Sequence, residues 1–150
     1  MTDRTRDVLG LIARAAVGGV FVYAGVTKAL APAEEFAYAI ESYRVLNSQF
    51  SLYAAHVTPW VELWAGLLLM AGVFTRWTAL FSGAMLFFFE LLLGQAWLRK
   101  LPITSCGCFG TSGSNSISGE FIQNLALLAL AFLAFRYGGA WSADRAAEEE

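Results

Sequence analysis

Charge is scarce in this sequence. Only 15% of its 150 residues are Asp, Glu, Lys or Arg, and the formal net charge is −2. A soluble domain of this size carries about 25% charged residues. No basic patch is present, which excludes a nucleic-acid-binding role. Histidine is nearly absent: His56 stands alone and has no second imidazole with which to complete a metal site. Cysteine is limited to Cys106 and Cys108. Two thiolates cannot close a structural zinc site, which takes four ligands, and adding His56 leaves it one short. Two thiolates do suffice for a soft ion such as Cu(I).

What fills the space is apolar. Hydrophobic residues make up 57% of the chain, and mean hydropathy is +0.55. They fall in blocks long enough to cross a bilayer, which takes about 20 residues. Four spans are expected: Val8–Ala31, Ser51–Phe74, Trp77–Leu98 and Glu120–Trp141. The expected fold class is all-α, one integral membrane four-helix bundle covering the whole chain. Strands are excluded because the blocks are too long and lipid tolerates no open sheet edge. Arg4, Arg6 and the apolar run behind them also fit a signal peptide with a cleavage site at Ala29-Leu30-Ala31. That reading is rejected: the run is too long for such a peptide, and it contains Arg14, with Lys28 just before the site.

Between the first two spans, Pro32, Glu34 and Glu35 suit a helix start. Phe36, Ile40 and Tyr43 follow at helical spacing, which predicts a short amphipathic interfacial helix ending near Asn47. Pro59 lies inside the second span, which is expected to kink there. Ser118 is expected to cap the last helix, with Glu120 in its first turn. Trp60, Trp77, Trp97 and Trp141 fall near span ends, where aromatic belts anchor in the interface. Arg4 and Arg6 precede the first span and place both termini in the cytoplasm. Cys106 and Cys108 then face outward, where disulfides persist.

The charges inside the spans are the expensive ones. Arg14, Gly18, Phe21, Gly25 and Lys28 form one stripe of the first helix; Gly83, Phe87, Glu90, Gly94 and Trp97 form a matching stripe of the third. Glu62 and Gly66 belong to the second, and Gln123 and Asn124 lie one turn into the last. Counting rise along each helix puts Glu62 and Glu90 about 18–20 Å above the cytoplasmic side, Arg14 about 9 Å and Lys28 about 30 Å. The expected network is Arg14, Lys28, Glu62, Glu90, Gln123 and Asn124, with Arg14 paired to Glu62. It serves either as structural glue or as a proton or quinone site.

"SCGCFG" carries the chemistry. Cysteines one residue apart can form a strained disulfide, with Gly107 relieving the centre of the turn and Gly110 its exit. So small a ring stabilises little, and strained exposed bridges tend to be labile. Cys106 and Cys108 are therefore read as redox-active. The segments "RAAVGGVFVYAGVTK", "PWVELWAGLLLMAGVFTR" and "CGCFG" together resemble the DoxX-like membrane proteins, and within them the methylamine utilisation protein MauE branch. Many relatives place an Asp before the first cysteine, where this chain has Ser105. The resemblance implies a bacterial inner-membrane protein that exchanges a disulfide with a periplasmic thioredoxin-like protein or maturing client enzyme. It implies a quinone as the lipid-soluble electron carrier. The alternative is a non-catalytic membrane subunit or assembly factor whose cysteines are structural or bind a metal.

Overall fold

The computed structural model describes residues 3–101, 117–139 and 142–143. These residues form five helices, α1 Asp3–Leu30, α2 Ala33–Ser42, α3 Ser48–Ala71, α4 Thr75–Leu98 and α5 Ile117–Tyr137, with no strand among them. Three helices, α1, α4 and α5, are long and apolar enough to cross a membrane. At 24 residues, α3 is as long as α4.

Local chemistry explains the boundaries. α3 begins three residues earlier than expected because Asn47 caps it, accepting a hydrogen bond from the Phe50 amide at 3.1 Å through its side chain. It stops at Gly72, whose φ of +74° is left-handed. The Gly72 amide donates to Leu68 and Leu69 carbonyls, and the Val73 amide reaches back to Leu68 at 3.1 Å. That pattern ends helices on a glycine because no other residue adopts the angle without strain. α5 already includes Ile117, so Ser118 lies inside the first turn and not at the capping position. Pro32 is the residue before α2, whose buried face of Phe36, Ala37 and Ala39 packs with Ala55 of α3.

α1 is the central element, packed along α3 and α5. It runs antiparallel to both, since Gly10 lies against Tyr137 and Gly18 against Gly66. The expected α1 stripe is buried throughout: Arg14, Gly18, Phe21, Gly25 and Lys28. A methyl group on Gly66 would sit 2.7 Å from the Gly18 carbonyl oxygen and 2.8 Å from the Val22 amide. Both are backbone atoms, so only a shift of the helices could relieve the overlap. Gly66→Ala should destabilise the protein by about 1–3 kcal/mol, read as a lower melting temperature in detergent. Gly19→Ala is the control, because a methyl there meets nothing within 4 Å. Equal melting of the two variants would refute the close helix approach.

The expected α4 stripe is not the buried one. Phe87 and Trp97 are more than half exposed, and a methyl on Gly83 would make only an ordinary contact, 3.8 Å from Ala131. Burial follows Thr75, Ala79, Ser82, Leu86, Glu90 and Leu93 instead, so the two stripes share only Glu90. Large aromatics take the outward face because lipid accepts their bulk, whereas small residues allow α5 to come close. Trp60, Trp64, Trp77 and Trp97 are likewise exposed on the outer surface. α2 is tied to α4 by Gln95, whose Nε2 donates to the Tyr43 carbonyl at 3.0 Å.

Candidate functional site

Four buried charges, Lys28, Glu62, Glu90 and Glu120, gather where α1, α3, α4 and α5 meet. Lys28 of α1 donates from Nζ to both Glu62 oxygens, at 2.6 and 2.8 Å. Both side chains are almost wholly enclosed. Lys28 also lies over two rings, 4.8 Å from the centre of Phe36 and 5.6 Å from that of Phe89. The rings add cation–π attraction to a cation that has lost its water. Such a pair withstands burial only with good geometry and further contacts, and this one has both.

The expected partnership of Arg14 with Glu62 is therefore corrected to Lys28 with Glu62. Arg14 sits at the other end of α1, donating to the Gly138 carbonyl at 3.1 Å and packing beside Gly72. It joins the start of the bundle to the ends of α3 and α5. Lys28 meets Glu62 because side chains lean toward the N-terminus of their own helix. On antiparallel helices the two lean toward each other, closing the gap in height that the residue count suggested.

Glu90 forms the second half. Asn124 Nδ2 donates to Glu90 Oε2 at 2.7 Å and to the Leu86 carbonyl at 2.9 Å. With both its hydrogens given to acceptors, the amide can take only this orientation. Glu90 Oε1 has no partner among the described residues. Gln123, expected in the network, is exposed instead, one residue and about 100° around α5 from Asn124.

Glu120 joins the site, although sequence reasoning assigned it only to the first turn of a helix. It is 7% exposed, and its Oε2 has no partner among the described residues. With Glu62 and Asn124 it lines a cavity of about 40 Å³, lined otherwise by apolar side chains that include Phe21, Leu86 and Phe89. Its spacing, four residues before Asn124 on one helix face, was the available signal. Among the described residues no group of three or more metal-ligating side chains is present. His56 hydrogen-bonds the Leu52 carbonyl of its own helix at 2.9 Å and stands apart from the acids.

Cys106, Cys108, Gly107 and Gly110 lie outside the described residues. The segment that carries them joins the end of α4 to the start of α5, ends brought together by contact of the Trp97 and Phe121 rings at 5.9 Å. Glu120 and Glu90 belong to this end of the bundle.

No curated protein and no solved structure matches the chain. Residues 6–137 match the family model of methylamine utilisation protein MauE. That match takes in α1 from Arg6 onward, the other four helices and every buried charge described above, and the chain belongs to the MauE family of methylamine utilisation membrane proteins.

Proposed function

We propose that the chain is a single-domain, four-span redox protein of the bacterial inner membrane, in which Cys106 and Cys108 exchange a disulfide with an extracytoplasmic thioredoxin-like protein or client. The observation that carries this reading is the placing of Glu62, Glu90 and Glu120 in the bundle at the end joined by the cysteine segment. Buried acids in lipid are costly and are usually functional. In this reading α3 supplies the fourth span, which its antiparallel contact with α1 from Gly18–Gly66 to Gly25–Pro59 supports. N-in, C-in topology follows from Arg4 and Arg6.

The electron balance is simple. A client dithiol reduces the Cys106–Cys108 disulfide and becomes a disulfide itself, the two protons moving with the two electrons. The resulting dithiol is reoxidised by a lipid-soluble quinone substrate, which takes two electrons and two protons to become a quinol. The same exchanges run backwards when the quinol is the donor. The central cavity is too small for the ring, since enclosing benzene takes about 150 Å³. A groove of about 420 Å³ between α2, α3 and α4 has the room, and Phe89 lines both spaces.

In intact cells, a membrane-impermeant maleimide should label Cys106 or Cys108 only after mild reduction. Labelling confined to permeabilised cells would reverse the topology. Complete labelling without reduction would show that no disulfide forms, favouring the anchoring subunit as the alternative.

A further inference from the structure

We propose that Glu120 is the gateway of a hydrated proton site, linking the start of α5 to the buried Lys28–Glu62 pair through water in the central cavity. The inference rests on the redox reading above but is argued from the cavity alone. Three facts support it. First, Glu120 is buried, lines the cavity, and has an oxygen without a partner among the described residues. A buried polar atom in that position is satisfied by water when there is room for it. Second, there is room: about 40 Å³ holds one or two waters, and Glu62, Glu120 and Asn124 supply the polar contacts that water needs. Third, Asn124 cannot serve Glu120 with a hydrogen, because both amide hydrogens are given to Glu90 and Leu86.

Position gives the water its purpose. Lys28 offsets Glu62. Glu120, in the first turn of α5, is the acid closest in sequence to the cysteine segment, and it lines the same cavity as Glu62. Thiol oxidation releases protons and quinone reduction consumes them. A carboxyl bonded to water in the cavity can carry them between the two.

The test is infrared spectroscopy of the full chain in lipid. The carboxylic acid C=O band should be present, shift promptly when the medium is changed to D₂O, and disappear in Glu120→Gln. It should survive in Glu34→Gln, whose carboxylate is exposed on α2. Glu120→Asp keeps an acid and should move the band without removing it, which controls for misfolding of the Gln variant. Turnover should fall about 10²-fold in Glu120→Gln, while maleimide labelling of the cysteines stays unchanged. A band untouched by Glu120→Gln, or one that ignores D₂O, overturns the proposal. A band that behaves as expected in a protein whose cysteine variants stay active would keep the proton site and remove the thiol chemistry.

Discussion

Glu62→Gln is expected to cut the yield of folded, inserted protein severely. The substitution leaves the Lys28 ammonium enclosed by Phe36 and Phe89 with its counter-charge gone. Removing one partner of a buried pair costs about 3–5 kcal/mol, a few hundred-fold or more in the folding equilibrium. Lys28→Met should be similarly harmful, since it strands Glu62. The double variant Lys28→Met/Glu62→Gln carries no charge at either place and should fold far better than the sum of the two losses predicts. The coupling should exceed about 1 kcal/mol, well above the few tenths expected of independent sites. Fluorescence size-exclusion of the solubilised protein gives the folded fraction for all four members of the cycle. Additive losses would show that the two residues are not coupled. Restored folding without restored turnover would separate the structural role of the pair from its part in proton movement.

The partner of Glu62 shows where sequence reasoning stops. The α1 stripe was legible because five residues at steps of four and three define one face whatever that face meets. Which cation reaches which acid was not, because residue counts give the height of Cα atoms and ignore the lean of long side chains. Lys28 extends several ångströms from its backbone, enough to undo the difference in height between the two positions. The Pro32, Asn47 and Gly72 boundaries of α2 and α3 depend on neighbouring residues alone. Of these, the Gly72 stop was left unread in the sequence, and Asn47 was misread as the end of α2, which stops at Ser42, when it caps the start of α3.

α4 and α5 were harder for a different reason. Both are apolar on every side, so a hydrophobic pattern cannot say which side turns inward. Glycines served as the guide on α4 and pointed to the wrong face, because only Glu90 of that stripe is buried with the small residues Ala79 and Ser82. On α5, Gln123 and Asn124 were equivalent as adjacent polar residues, and only contact with Glu90 distinguishes them. Glu120 was seen as a favourable charge at a helix start. That explanation was sufficient in itself, so nothing prompted a search for a second role.

Cys106→Ser is expected to abolish turnover while leaving folding and insertion intact, and Cys108→Ser to do the same. A bridge across one intervening residue closes too small a ring to restrict the unfolded chain, so its loss removes little stability. The consequence for chemistry is total, since a single remaining thiol can attack a partner disulfide but cannot resolve the product. The variant that keeps the attacking thiol should therefore accumulate a mixed disulfide with its extracytoplasmic partner. A non-reducing gel of each variant, run beside an activity assay and a melting curve, reads all of this at once. The expected pattern is two inactive proteins with unchanged melting, one of them carrying a band of higher mass that reductant removes. Full activity in both serine variants would end the redox reading. Loss of insertion in both, or loss of a bound metal, would instead give the cysteines to the anchoring subunit. Ser105→Asp adds a finer measure, restoring the acidic neighbour common among related sequences. A carboxylate beside Cys106 disfavours its thiolate, so labelling by maleimide after reduction should slow at neutral pH if Cys106 is the residue labelled. An unchanged rate, together with a mixed disulfide formed only by Cys106→Ser, would assign the attack to Cys108.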